Sequence, residues 1–229
     1  SRATHLSVAL LSSSFSPAEM VRAYSTIVNT DDPKDLFFIE RVVDRNGKTI
    51  FQNPQAKNKT KNIDAFPWFQ TQLKEEIKPF YLLPPIQKES MASIDPRVTF
   101  ITKDILREAL SRGSNGRKSQ VLNRNDIAGK TGTTNDAIST WFSGFHSDLV
   151  TTVWIGTDDF SSLGDNEFGS SIALPAWVDF MKTALMSLPE EDWKIPKGLS
   201  YVRVDRETGQ PVDETSQNSY FELFFDEDI

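Results

Sequence analysis

Along this 229-residue chain the apolar residues change rhythm several times, and each rhythm predicts an element. Met20, Val21, Tyr24, Ile27 and Val28 recur at helical spacing, which puts them on one stripe. Ahead of them, Ser16-Pro17-Ala18-Glu19 combines a capping serine, a proline for the first helical position and a glutamate three residues after the serine. A helix from Pro17 to near Asn29 follows, its apolar face turned to a core. Leu36–Val43 and Lys48–Phe51 flank Asp44-Arg45-Asn46-Gly47, whose Asn-Gly pair accepts the positive φ angles of a tight turn, so a β-hairpin is predicted. Asn53–Lys61 is polar and basic and reads as a solvated loop, and Pro79–Pro85 as irregular chain.

Helical spacing returns in Arg97–Arg112, with Phe100, Ile101, Ile105, Leu106 and Leu110 on one stripe that stops at Gly113. After a polar link, Ile127–Thr133, Thr140–Phe145 and Leu149–Gly156 are three short β-prone stretches. Ser147-Asp148 is the tight connection between the last two, which predicts an antiparallel meander. A loop rich in Gly, Ser and Asp, Asp158–Ser171, leads to a helix over Pro175–Lys182 that lays its Trp and Phe on the sheet. The acidic tail turns at Glu207-Thr208-Gly209, and its end FELFFDEDI reads as loosely held. Helices around antiparallel strands give an α+β class, an antiparallel sheet flanked by helices. The division expected is one domain portion over residues 1–188 and a polar, acidic tail with a short strand segment over 189–229.

Composition narrows the chemistry. With 32 acidic against 25 basic residues the formal charge is -7, which gives no support to nucleic acid as a partner. The absence of cysteine removes thiol nucleophiles, disulfides and zinc thiolates together. His5 and His146 stand at no ligand spacing, so both read as structural and no metal or other cofactor is expected. No apolar run approaches the ~20 residues that span a bilayer. The N-terminus lacks the apolar core of a signal peptide and reads as the interior of a longer chain.

One stretch, DIAGKTGTTNDA at 126–137, carries two candidate motifs on the same letters. As Gly129-Lys130-Thr131 it matches the end of a phosphate-binding loop. That loop needs glycine five positions before its lysine-preceding glycine, where backbone N–H groups converge on phosphate, and Arg124 stands there. As Lys130-Thr131-Gly132-Thr133 it is a strand that suits a carboxylate: an ammonium, neighbouring hydroxyls and a glycine with no Cβ to obstruct a peptide laid alongside. In an ideal strand Lys130 and Gly132 face one way and Thr131 and Thr133 the other.

The surrounding residues decide between them. Asp126–Leu185 closely resembles the end of the transpeptidase domain of class A penicillin-binding proteins. There AGKTGTTN is followed by segments that appear here as Trp141-Phe142-Ser143-Gly144-Phe145, Val153-Trp154-Ile155-Gly156 and Ala173-Leu174-Pro175-Ala176-Trp177. LSVALLSSSFSPAEMVRAYSTIVN, RVTFITKDILREAL and the tail YVRVDRETGQPVDE are similar to further segments of that family. Leu11, where the family usually has glycine, and Ser114-Asn115-Gly116-Arg117 depart from the pattern. The family's Ser-x-x-Lys nucleophile motif and upstream Ser-x-Asn motif are both missing. Thr71-Gln72-Leu73-Lys74 imitates the first with threonine and reads as surface helix, and Ser216-Gln217-Asn218 falls on the wrong side of Lys130.

The resemblance implies the C-terminal portion of the penicillin-binding and serine β-lactamase-like transpeptidase fold, and a share in cross-linking peptidoglycan by serine acyl transfer. Lys130 would place positive charge near the nucleophile. Thr131 and Thr133 would hold the substrate's carboxylate, and the Thr133 N–H would serve in the oxyanion hole. Gly132 would admit the peptide, with Thr134 and Asn135 at the border of the site. Trp141 and Trp154 read as sheet packing. The implied partners are peptidoglycan stem peptides, β-lactams and the missing N-terminal part of the same protein, at the outer face of the cytoplasmic membrane. The chain by itself is expected to be inactive. A serine carboxypeptidase or β-lactamase-like hydrolase, and a non-catalytic partner-binding module, are the competing readings.

Overall fold

The computed structural model of the chain describes residues 15–29, 37, 39–53 and 94–229. The expectations for His5, for the segment before Phe15, for most of the basic loop, for Pro79–Pro85 and for Thr71–Lys74 lie outside these residues.

Helix α1 runs Pro17–Val28, and both halves of its capping box form: the Glu19 N–H donates to Ser16 Oγ, and Ser16 N–H donates to Glu19 Oε2 at 2.9 Å. Hairpin strands β1 (Arg41–Val43) and β2 (Thr49–Gln52) pair around the Asn-Gly turn, with Asp44 Oδ1 accepting the Asn46 and Lys48 N–H groups. Helix α2 covers Pro96–Ser111. Its predicted stripe is only partly a core face, because Ile105 is exposed while Thr99, Phe100 and Leu110 are buried. The polar link expected after it is instead a short helix, α3 (Gly113–Ser119), held by Ser119 Oγ donating to the Leu110 carbonyl at 3.3 Å.

The meander forms as predicted, from β3 (Ala128–Thr133), β4 (Ser139–His146) and β5 (Leu149–Gly156) in the order β3-β4-β5. Its register pairs Lys130 with Ser143, Thr131 with Phe142, and Gly132 with Trp141. Strand alternation then divides the sheet into two faces. On one, Phe145 meets Tyr24 of α1 at 6.3 Å between ring centroids and Trp193 at 5.9 Å. On the other, Phe142 packs on Trp177 at 4.8 Å. Trp177 belongs to α4 (Leu174–Ala184), which is preceded without a break by a π-helical turn, Gly169–Ala173, so the helical run starts earlier than the sequence suggested. Leu110, Ile127, Phe142, Leu174, Trp177 and Met181 form the main core.

Glycine is required where β3 and β4 cross beneath α4. A Cβ on Gly144 would lie 2.7 Å from Trp177 Cζ2 and 2.8 Å from the Ala128 carbonyl oxygen, so this position lets the indole descend onto the sheet.

The tail corrects the expectation of a loose end. Strands β6 (Leu199–Asp205) and β7 (Ser219–Phe225) pair antiparallel over their whole length. Leu199 and Leu223 close with Phe100 of α2 into a second core. Arg97 ties the assembly, donating to Glu227 at 2.7 Å with its guanidinium 4.7 Å from the Phe225 ring centroid.

Candidate active site

The phosphate-loop reading fails on what Arg124 does. Its Nε and Nη2 donate to the two oxygens of Asp126 at 2.8 and 2.6 Å, and Nη1 and Nη2 donate to the Leu188 and Pro189 carbonyls, both at 2.8 Å. The residues after Lys130 continue as a strand rather than opening a helix. The glycine-lysine-threonine therefore lies along a sheet border.

Asp126 is buried, and it gathers four donors: the two from Arg124, His146 Nε2 at 3.1 Å and the Glu191 N–H at 2.9 Å. Burial pushes its carboxyl up, but the hydrogen bonds from Arg124 and from the Glu191 N–H outweigh that and hold it below the ordinary aspartate range. The same contact raises the Arg124 guanidinium further. His146 is fully buried. Its Nδ1 accepts the Asp148 N–H at 3.1 Å, which leaves the ring proton on Nε2, facing Asp126. The structural role expected of His146 is thus a specific one, linking the end of β4 to the root of β3. Among the described residues no group of three His, Asp or Glu side chains is placed to hold a metal ion.

From that root β3 emerges into solvent. Ala128 and Gly129 are buried, Lys130 and Thr133 are exposed, and Thr131 and Gly132 are half-buried. Among the described strands β3 pairs with β4 alone, so no described strand lies along its other side. Lys130 does not simply oppose its neighbour as an ideal strand would have it, because its ammonium folds back to the Thr131 carbonyl at 3.2 Å and to Thr131 Oγ1 at 3.5 Å. Positive charge and hydroxyl are thereby brought together on the accessible half of an edge strand.

Gly132 sits opposite Trp141, where a Cβ would stand 3.3 Å from Trp141 Cβ, so cross-strand crowding favours glycine there. Thr133 Oγ1 accepts the Gly169 N–H at 3.0 Å. The Thr134 hydroxyl is engaged in the turn, donating to the Ser139 carbonyl at 3.2 Å and accepting the Ser139 N–H at 2.8 Å. Asn135 is exposed at the start of that turn. Trp141 and Trp154 meet on one face of the sheet, 6.2 Å apart, with Trp154 left exposed.

Sequence reasoning missed the Arg124–Asp126–His146 cluster and Gly169. Arg124 had registered only as a misfit to a phosphate loop. Gly169 sat in a stretch of small and polar residues with no periodicity to single it out.

No family model matches the chain. It is 32% identical to penicillin-binding protein 1A of Pseudomonas aeruginosa over 98% of its own length and 29% of that protein's. Against penicillin-binding protein 1A of Vibrio cholerae it is 30% identical, covering 95% of this chain and 28% of the relative. The crystal structure of penicillin-binding protein 1A from Haemophilus influenzae superposes with a TM-score of 0.73 at 30% identity, over 98% of this chain and 34% of that one. The chain spans under a third of the length of these curated relatives.

Proposed function

Because the chain belongs to the class A penicillin-binding proteins and matches part of their length, we propose that it forms one wall of a serine D,D-transpeptidase site. No lysine in it has a serine three residues earlier, so the nucleophile is assigned to another part of the full protein. In this reading that serine adds to the carbonyl of a D-Ala-D-Ala bond in a peptidoglycan stem peptide. The bond to the last D-Ala breaks, the serine's proton passes to the departing nitrogen so that D-Ala leaves as the free amino acid, and the stem remains as a serine ester. An amine of a neighbouring stem then displaces the serine, which regains its proton as the cross-link forms. β-Lactams would acylate the same serine.

The observation that carries the reading is the placement of Lys130, Thr131 and Thr133 on the accessible half of an edge strand whose root is buried. An extended peptide laid along β3 would present its terminal carboxylate to the two hydroxyls, with the Lys130 ammonium adding charge. The Thr133 N–H would donate to the oxyanion. Gly132 keeps the approach clear, and Thr134 and Asn135 border the site, Thr134 by closing the turn. We place the protein at the outer face of the cytoplasmic membrane. Among the described residues no helix is long and apolar enough to cross a membrane.

Lys130→Ala in the full-length protein tests this. The acylation rate by benzylpenicillin should fall at least ~100-fold, the range for a lost transition-state contact, with the melting temperature unchanged because Lys130 is exposed. Acylation at the parent rate would remove Lys130 from the site.

A further inference from the structure

Thr133 carries a hydroxyl with one hydrogen to donate and two lone pairs to accept. One lone pair is occupied by the Gly169 N–H at 3.0 Å. An N–H group accepts nothing, so the Thr133 hydrogen cannot turn back toward Gly169. Thr133 is exposed, and among the described residues its hydroxyl makes no other hydrogen bond. The hydrogen therefore has no acceptor among the described residues and is left to be donated to a ligand atom that only accepts.

Gly169 is held in this position from two sides. A Cβ on it would meet the Trp141 carbonyl oxygen at 2.6 Å, the Gly132 carbonyl oxygen at 2.7 Å and Thr131 Cβ at 3.1 Å. These atoms are backbone or Cβ and cannot swing aside, so only glycine seats the π-helical turn directly against β3. Behind the turn, the half-buried Lys118 of α3 donates its ammonium to the Ser170 carbonyl.

We propose that Gly169 is a positioning residue: its backbone N–H sets the Thr133 hydroxyl as a donor and so biases the site toward ligands bearing a free carboxylate. This rests on the assignment of Thr133 to carboxylate binding above, and it adds a residue that touches no ligand.

The test compares acylation of the full-length protein by benzylpenicillin and by its methyl ester, which lacks the carboxylate. Thr133→Val should lower the rate for the acid more than for the ester, shrinking the acid-to-ester preference. Gly169→Ala should lower the acid-to-ester preference about tenfold, the scale of a hydrogen bond to a charged group. The double variant should be no slower than Thr133→Val, since Gly169 acts through that hydroxyl. If Thr133→Val leaves the acid-to-ester preference unchanged, the carboxylate assignment itself fails, and this proposal with it. If Thr133→Val alters the preference but Gly169→Ala slows both substrates equally, or the two effects multiply, Gly169 is only a packing residue and the proposal is overturned. Should Gly169→Ala fold poorly, Lys118→Met loosens the same turn without adding a Cβ. It should shift the acid-to-ester preference in the same direction, and an unchanged preference counts against the proposal.

Discussion

Removing the Asp126 carboxylate strikes the root of β3 without touching its exposed half. Asp126→Ala withdraws the acceptor for four donors, and it leaves the Arg124 guanidinium, whose side chain is 11% exposed, with no carboxylate beside it, only the Leu188 and Pro189 carbonyls and the His146 ring nitrogen at 3.2 Å. Breaking a buried pair by deleting one partner costs about 3–5 kcal/mol, a large part of the ~5–15 kcal/mol that holds a typical domain folded. Asp126→Asn is milder, for a reason visible in the geometry. Its oxygen in the Oδ2 place can still accept from Arg124, His146 and Glu191, while its amide nitrogen faces only Arg124 Nε. One charge-assisted contact is lost, a cost of about 2 kcal/mol. Urea unfolding of the full-length protein, followed by tryptophan fluorescence, reads this out, with Trp193 stacked on Phe145 as a nearby reporter. The pH dependence adds a second arm. The Asp126 carboxyl lies below its unfolded value of about 3.9 in the folded protein, so its contribution is present in full above that value and is lost as pH falls through the folded one. Asp126→Asn should lose that part of the acid limb. A cost under about 1 kcal/mol for Asp126→Ala, or an acid limb identical to the parent's in Asp126→Asn, would refute the clamp.

Two further predictions concern packing. Gly144→Ala puts a methyl 2.7 Å from the Trp177 ring and should destabilise by about 1–3 kcal/mol, seen as a lower melting temperature. Leu223→Ala opens the small core it shares with Phe100 and Leu199 and should cost about 2–4 kcal/mol. A change within error would return the tail to the loose end first expected of it.

How much of this was legible in the sequence varies with how local the cause is. The start of α1 was readable because its cap is made by residues three apart, Ser16 and Glu19. The meander was readable from β-prone runs broken by turns, and the Lys130–Thr133 strand from residue chemistry sharpened by family resemblance. Strand β7 was not, because its acidic neighbours Asp226, Glu227 and Asp228 suggested solvent, while the reason it is ordered lies in Leu199 and Phe100, 24 and 123 positions earlier in the numbering. Helix α3 was hidden by its composition, since Gly113, Ser114, Asn115 and Gly116 are poor helix formers held there by tertiary bonds such as Lys118 to Ser170. The support of the candidate site was hidden for the same reason: Arg124 and Gly169 matter through partners far along the chain.

Strand β3 behaves as a beam anchored by its buried Ala128 and Gly129 and braced farther along by its pairing with β4 and by the contact of Thr133 with Gly169. The stiffness of such a beam is set where it enters the wall. Here that wall includes Leu188, Pro189, Glu190 and Glu191, which grip Arg124, Asn125 and Asp126. Under the proposed function, substitutions in that segment would act on the exposed half of β3 through its root and tune acylation by residues that touch no ligand.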